Sequence, residues 1–408
     1  MTNKTVNKWK QVTLEDLVTI SSSKRIFHSD YVKKGIPFYR SKEIIEKQKG
    51  NKVSQDLFIT KKRFKEIDSK FGSPKKGNLL LTSVGTLGTP YLVKENEVFY
   101  FKDGNLTWFK DYKNLHPKFI YYFFLSSIGN EKLNEITIGS TQKALTIAGL
   151  KKIRIDLPSL PEQKAIAATL SSFDGKIELL REQNKTLEKI AQTIFNEWFG
   201  KYQVGDKLPK GWRVGKLKDV VKICGGGTPS TKNPKYWNEN IYWTSPKHLS
   251  SNSSISLFDT EKKISKAGLD KISSRLLPKN TLLLSSRAPI GYLAITSIET
   301  AINQGYIALY PCQYLSNYFM FLWLKKNMNI VKNSANGSTF LEISKRSFNK
   351  INLVIPEKNA LNKLDKTLKP HFEKMKNNSE QIQTLSKTRD ALLPKLMSGE
   401  IRIKKVSK

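Results

Sequence analysis

The sequence predicts a mixed α+β chain. Two globular domains related by an internal repeat, a pseudo-two-fold, are joined by two long helices that form an antiparallel coiled coil. Three observations predict this. The chain has 408 residues, which at roughly 100–200 residues per domain makes two or three domains. A series of short motifs occurs twice in the same order. Each copy is followed by a segment whose apolar residues alternate at spacings of three and four.

The repeat is legible residue by residue. Trp9, Leu14, Asp16, Val18 and Ile20 recur as Trp212, Leu217, Asp219, Val221 and Ile223, at an offset of about 203. NLLLTSVGTLGTPYLV (78–93) returns as TLLLSSRAPIGYLAI (281–295), with Gly88 matching Gly291, and PKFIYYFFL (117–125) as SNYFMFLWL (316–324). Gly139-Ser140-Thr141 returns as Gly337-Ser338-Thr339, and KKIRIDLP (151–158) as NKINLVIP (349–356). Domains are therefore expected over 1–158 and 205–356. Within each, short β-branched and aromatic segments such as GIPFY, NLLLTS and VFYF alternate with Gly, Pro, Asn and Ser, reading as strands and turns. The aromatic stretch is apolar on every face, which predicts a buried helix rather than a base-stacking platform.

The segments 159–204 and 357–408 read as coiled-coil helices. The first carries Ile166, Leu170, Phe173, Ile177, Leu180, Leu187, Ala191, Ile194 and Trp198 on its seam, with Asn184 in the one polar position. Pro161 falls in the first turn, where proline is tolerated, and Glu162 near the positive end of the helix dipole. The second carries Leu361, Leu364, Leu368, Met375, Ile382, Leu385, Leu392 and Leu396; His371, Asn378 and Arg389 interrupt it, and Pro394 is expected to kink or stop it. Two seams in one chain, with nothing else long enough to cover either, predict that they pack on each other. The pseudo-two-fold makes them antiparallel, with Asn184 against a neighbour such as Asn378 fixing register. At ~1.5 Å per residue, a helix of about 37 residues spans roughly 50 Å.

Composition narrows the partners. Seventy Lys and Arg stand against 35 Asp and Glu, a net charge of +35. Such a surface faces a polyanion, nucleic acid first and an anionic membrane second. Lys outnumbers Arg, which suits point-charge contacts to phosphate. Two cysteines make neither a disulfide framework nor a zinc cluster. The start MTNKTVNKWKQ has no apolar signal region, and FIYYFFL and YFMFLWL are too short to span a bilayer, so a soluble cytoplasmic protein is expected.

Catalytic and metal motifs are missing: no GxxxxGK[ST], HExxH, CxxC, EF-hand loop or GxSxG occurs. GGGTPSTK (225–232) lacks the P-loop lysine spacing, so its glycines are expected to serve a tight turn. The four histidines are scattered, and Glu261-Lys262-Lys263 is the kind of acid-x-Lys triplet a Lys-rich chain contains anyway. No catalytic and no metal residues are assigned.

What remains is binding. Basic residues interleave with aromatics and small hydroxyls in matching regions of both halves. In the first half the candidate nucleic-acid contacts are Lys24, Arg25, His28, Lys34, Tyr39, Arg40, Ser41 and Lys42, then Ser83 and Thr86 after the LLL strand, then Thr141 and Lys143. In the second they are Thr228, Ser230, Thr231, Lys232, Tyr236, Trp243, Thr244 and Lys247, then Ser286 and Arg287, then Thr339. Lys and Arg supply phosphate contacts and counterion release; Arg, Ser and Thr can read base edges. The loops TSVGTLG and SSRAPIG are equally readable as hairpin turns.

The chain resembles the DNA-specificity (S) subunit of type I restriction–modification enzymes from end to end. KRIFHSDYVKKGIPFYRSKEI and GGGTPSTKNPKYWNENIYWTSPKHL are similar to two types of target-recognition-domain opening, LPSLPEQKAIAATLSSFDGKIELLREQNKTLEKIAQTIFNEWF to the family's central helix, and TRDALLPKLMSGEIRI to its C-terminal counterpart. The second half departs from the pattern at VIPEKNALNKL, where the fuller leucine-proline-x-glutamate-glutamine form is usual; a weaker helix start or subunit contact is expected there. The resemblance implies that each target-recognition domain reads half of a split DNA site and that the helical rod sets the gap. It implies two modification subunits docked on the helices, bringing S-adenosylmethionine and adenine-N6 methyl transfer, and two restriction subunits bringing ATP, Mg2+ and the nuclease. The S subunit itself would be catalytically silent and bind no cofactor. Roughly 50 Å at ~3.4 Å per base pair covers about 15 base pairs, and two different openings imply an asymmetric site. Alternative readings are a non-catalytic basic nucleic-acid scaffold, or the specificity module of another restriction system.

Overall fold

The computed structural model describes residues 9–50, 53–250, 254–312, 314–337 and 341–403. The chain divides into two compact units: residues 1–175 with 385–408, and residues 176–384. Each unit therefore contains one globular domain, one end of the central helix and one end of the C-terminal helix.

In the first unit, Lys10–Thr13 pairs antiparallel with Arg154–Leu157, bringing the two ends of the domain together. An antiparallel sheet follows in the order Thr19–Ser21, Leu106–Lys110, Leu79–Thr82, Pro90–Leu92. A second has the order Tyr31–Val32, Phe58–Ile59, Ile36–Tyr39, Tyr100–Phe101, its last pair being parallel. The run NLLLT shows no polar alternation because Leu79–Thr82 is covered on both faces. Leu79 and Leu81 pack with the aromatic helix Pro117–Leu125, while Leu80 packs on the other side with Phe101 and Trp108.

The second unit repeats the plan. Arg213–Lys216 pairs with Asn352–Ile355, and the main sheet has the order Ile223–Cys224, Tyr306–Leu309, Leu282–Ser285, Leu293–Thr296, Ser256–Leu257. A three-stranded sheet joins Lys262–Ile264, Trp237–Thr244 and Ala301–Ile302, again with one parallel pair. Leu282 and Leu284 face one core and Leu283 the other, as in the first unit. The second aromatic helix, Asn317–Lys326, is buried through Phe319–Leu324.

The central helix runs over Leu160–Phe195 and passes into a five-residue π-helical turn, Asn196–Gly200; the C-terminal helix runs over Lys358–Ser398. In the first unit Ile166 and Leu170 share a core with Leu393, Leu396 and Met397. There Arg389 pairs with Asp174 at 2.6 Å, and Asp174 also accepts a hydrogen bond from Tyr122 Oη at 2.6 Å. In the second unit Asn378 Nδ2 donates to Asn184 Oδ1 at 2.9 Å, and Asn184 Nδ2 donates to Ser379 Oγ at 3.1 Å. Within each unit the partner numbers fall on one helix as they rise on the other: the pairing is antiparallel, and the two polar seam residues meet. Ile177, Leu180, Leu364, Leu368, Met375 and Leu396 are buried; Phe173, Leu187, Ile382, Leu385 and Leu392 are half-buried.

Three details differ from the heptad reading. Ile194 and Trp198 are only half-buried, whereas Phe195 and Phe199 are buried, Phe195 edge-on to Phe319 at 5.2 Å and Phe199 stacked on Trp212 at 5.3 Å. The helix here leaves the two-stranded seam and enters the domain core, so a period-3.5 stripe no longer applies. At His371 the core position is taken by its neighbour Phe372, stacked on Tyr318 at 4.5 Å. Pro394 does not stop the helix, which continues to Ser398, because Leu393, Leu396 and Met397 anchor the last turn in the first unit's core.

The two helix starts are built differently. Gln163 is fully buried; it accepts from the His116 backbone N–H at 2.8 Å and donates to the carbonyls of Asn114 at 3.0 Å and Pro158 at 2.9 Å. Trp9 Nε1 donates to Glu162 at 3.3 Å, and the Arg402 guanidinium bonds Glu162 while lying over the Trp9 ring. Gly399, at φ +75°, carries the chain past Trp9, where a Cβ would sit 3.3 Å from the ring. In VIPEKNALNKL, buried Leu361 stands where the first half has Gln163. Other groups meet the backbone and helix here: Tyr314 Oη donates to the Pro356 carbonyl at 3.2 Å, and Ser316 Oγ donates to Asp365.

Gln163→Leu tests this clamp. Each orphaned backbone group costs about 1–3 kcal/mol. Although Leu is tolerated at the matching position of the second half, the variant is expected to lose at least about 2 kcal/mol in denaturant unfolding. Wild-type stability would mean the clamp contributes nothing.

Candidate nucleic-acid interface

In each unit four segments converge beyond the end of the LLL strand. In the first, the Ser83 N–H donates to the Asn105 carbonyl at 2.8 Å, and the Ser83 carbonyl accepts from Leu145 at 2.9 Å. Ile138 and Ala144 close a hairpin at 3.0 and 2.9 Å, Val84 bridges Ala144, Lys102 N–H donates to the Tyr39 carbonyl at 2.8 Å, and Ser41 Oγ donates to the Asn105 carbonyl at 3.3 Å. In the second, Ser286 N–H donates to Gly305 at 2.8 Å and its carbonyl accepts from Ile343 at 3.0 Å. Asn336 and Glu342 pair antiparallel at 3.0 and 2.9 Å, Arg287 bridges Glu342, and Asn303 N–H donates to the Thr244 carbonyl at 3.0 Å. The backbone frame is the same down to individual hydrogen bonds, and it gathers the opening segment, the loop after the LLL strand and the paired residues Ile138 and Ala144, or Asn336 and Glu342, into one cluster per unit.

On this frame the candidate residues separate into three groups. Lys24, Arg25, Lys34, Lys42, Lys143, Lys232 and Lys247 are exposed, and Lys42 alone among them acts on a neighbouring carboxylate, Glu46, among the described residues. Lys24 lies over the Phe71 ring at 4.5 Å and Arg25 over Phe27 at 5.8 Å. His28 is exposed, edge-on to Tyr31, and Thr86, Thr141, Thr228, Ser230 and Thr231 are exposed hydroxyls, Thr228 Oγ1 bonding Gln304 Oε1 at 2.6 Å. Ser41 and Tyr236 are half-buried.

A second group is inside. Ser83 is buried with its hydroxyl 2.6 Å from Thr107 Oγ1; Ser286 and Thr244 are buried as well. Trp243 is buried with Nε1 donating to the Gly227 carbonyl at 3.0 Å. Tyr39 packs on Phe99 at 4.6 Å, and burial pushes its phenol above the usual range. These five shape the frame and do not face solvent. The third group is paired with carboxylates. Arg40 holds Glu43 at 2.6 Å and Asp56 at 2.7 Å, and the bond to Glu43 raises the guanidinium further against the opposing effect of burial. Arg287 Nη1 lies 3.5 Å from Glu342 Oε2. Thr339 lies outside the described residues.

The glycine run 225–227 serves a close approach rather than a turn. A Cβ on Gly226 would fall 2.0 Å from the Ile302 carbonyl oxygen and 2.4 Å from that of Asn303, and Gly227 N–H donates to Ile302 at 2.9 Å. The sequence reading missed Phe27 and Phe71, which are 58% and 47% exposed. The signal was available: an unpatterned aromatic beside a basic run. Among the described residues no cluster of His, Cys, Asp or Glu could hold a metal ion, and no helix is long and apolar enough to cross a membrane.

Two basic, loop-bearing α+β units on a pair of long helices define a DNA-specificity architecture. The chain belongs to the family described as type I restriction modification DNA specificity domain, which it matches over residues 7–189 and again over 209–387. It is 30% identical over 372 residues to the type I restriction enzyme MjaIX specificity subunit of Methanocaldococcus jannaschii, covering 85% of this chain and 82% of that one. It is 23% identical over 401 residues to the type I restriction enzyme HindI specificity subunit of Haemophilus influenzae, covering 80% and 87%. The fold is shared with the S subunit of a type I restriction–modification system from M. genitalium, at TM-score 0.59 and 18% identity over 97% of this chain and 98% of that one.

If Lys42 and Lys143 meet phosphates, replacing both with Ala flattens the log affinity against log salt slope for duplex DNA by about 1–2, roughly 0.9 per lost contact. A salt titration reads this directly, and an unchanged slope places both lysines off the DNA.

Proposed function

We propose that this chain is the DNA-reading subunit of a type I restriction–modification complex. Each unit reads one half of a split, asymmetric duplex site, and the continuous long helices set the unread gap. The reading is carried by one observation: the two units share a hydrogen-bonded backbone frame yet carry different side chains on it, Val84 and Ala144 in one and Arg287 and Glu342 in the other, in a chain with a net charge of +35. A common frame suits a common task, approach to duplex DNA; different side chains suit different half-sites. Lysine charge supplies affinity without sequence preference.

The chemistry belongs to other chains in this proposal. Two modification subunits, carrying S-adenosylmethionine, dock on the helices; two restriction subunits carry ATP, Mg2+ and the nuclease. The chain itself catalyses nothing, binds no cofactor and works in the cytoplasm of a bacterial or archaeal cell. Leu179 and Ile190 support helix docking. They are 51% and 41% exposed on the central helix, about three turns apart and so on one side of it, where a charged face would be the ordinary outcome.

The decisive experiment maps methylated adenine in cells expressing the chain with its modification subunit. A split motif with methyl groups on opposite strands, lost on deletion of the chain, is expected; an unchanged methylation pattern refutes the proposal. Affinity of the assembled complex should also collapse when one base pair is inserted into the gap, whereas a general polyanion binder would be indifferent. Leu179→Glu with Ile190→Glu should abolish co-purification with the modification subunit while leaving the melting temperature within about 2 °C, since both side chains are solvent-facing.

A further inference from the structure

The common frame allows the two units to be compared position by position, and one pair of positions stands out. The residue after the frame serine is Val84 in the first unit and Arg287 in the second; its bridge partner across the hairpin is Ala144 in the first and Glu342 in the second. The first pair offers only methyl groups. The second offers a guanidinium fork and a carboxylate side by side, with side chains 37% and 48% exposed and Nη1 3.5 Å from Oε2. Stability does not explain the substitution, because an exposed ion pair of this length is worth little, and the same hairpin closes over Val84 and Ala144 without one.

The chemistry of the pair has a natural complement. A G·C pair presents two acceptors, O6 and N7, on the guanine edge and a donor, N4–H, on the cytosine edge of the major groove. An arginine fork donates to the first and a carboxylate accepts from the second. An A·T pair offers guanidinium one acceptor fewer in that place and a methyl group that neither charge can use. We infer that Arg287 and Glu342 together read one G·C pair in the half-site of the second unit, Arg287 on guanine and Glu342 holding the fork in plane or taking the cytosine amine. The inference rests on the proposal that the units read DNA. It assigns the matching position of the other half-site to the apolar Val84–Ala144 pair, which makes no polar demand there.

The test is methylated-adenine mapping with the full chain in its modification complex, for three variants. Arg287→Ala and Arg287→Lys are each expected to relax one G·C position of the second half-motif by about 10- to 100-fold in preference, leaving the first half-motif unchanged. The lysine variant keeps the charge and loses the fork, so it separates base reading from a simple attraction to phosphate. The reversed pair, Arg287→Glu with Glu342→Arg, keeps an ion pair across the hairpin and is expected to change the base accepted at that position. Wild-type motifs from the lysine variant and the reversed pair would overturn the inference and leave a hairpin staple. An even loss of methylation over all sites with no change of motif would also overturn it, as a phosphate contact. Absence of any split motif with the wild-type chain would instead bring down the DNA-reading proposal and this inference with it.

Discussion

Neither globular domain completes its core without both long helices, and the rest of the structure depends on that constraint. The first unit's core takes Ile166 and Leu170 from the start of the central helix and Leu393, Leu396 and Met397 from the end of the C-terminal one. The second takes Phe195 and Phe199 from the end of the central helix and Leu361, Leu364 and Leu368 from the start of the other. Each fully buried Leu or Phe is worth about 1.5–3 kcal/mol, so the apolar contacts supply the stability. The polar contacts supply register. A slipped helix in the second unit would leave the buried Asn378 amide without Asn184, at a cost of about 1–3 kcal/mol. In the first unit the half-buried Arg389 would lose Asp174. Apolar residues accept many registers at similar energy; a buried amide or a half-buried charge accepts one.

The two helix starts show how little the frame cares which group satisfies it. Gln163 ties three backbone groups from inside the first unit. At the matching place in the second, Leu361 adds apolar burial, and the backbone there is met from the domain side by Tyr314. A duplicated fold needs its buried backbone groups paired, and it is indifferent to whether the partner comes from the helix or the domain.

This indifference explains what the sequence did and did not reveal. The repeat, the antiparallel seam and the meeting of Asn184 with Asn378 were legible because heptad spacing and a polar interruption are period-bound signals. The positions Phe195, Phe199 and Phe372 were not, because helix residues entering a domain core obey the shape of that core rather than a period of 3.5. The helix runs on past Pro394 for the same reason: tertiary anchoring by Leu393, Leu396 and Met397 outweighs the single backbone donor that proline removes. Among the candidate site residues, sequence could mark the segments that converge but not the direction of each side chain. Tyr39, Trp243 and Thr244 lie beside exposed lysines in sequence, yet strand alternation and packing turn them inward.

The inward turn of those residues bears on how specificity can be distributed. A net charge of +35 carried mostly on lysine gives attraction that any duplex satisfies equally. Discrimination must then come from the few exposed groups that are directional, and the frame limits where these stand. Arg40, for all its resemblance to a base reader, has its fork occupied by Glu43 and Asp56 and serves as an internal staple. The loops after the LLL strands are different. Their backbones are held where they leave the strand by the two bonds of Ser83 and of Ser286, and closed at the far end by Gly88 N–H on the Thr82 carbonyl and Gly291 N–H on that of Ser285, a frame that does not depend on the side chains between. A chain built this way can change what one unit recognises while the helices, the cores and the other unit stay as they are.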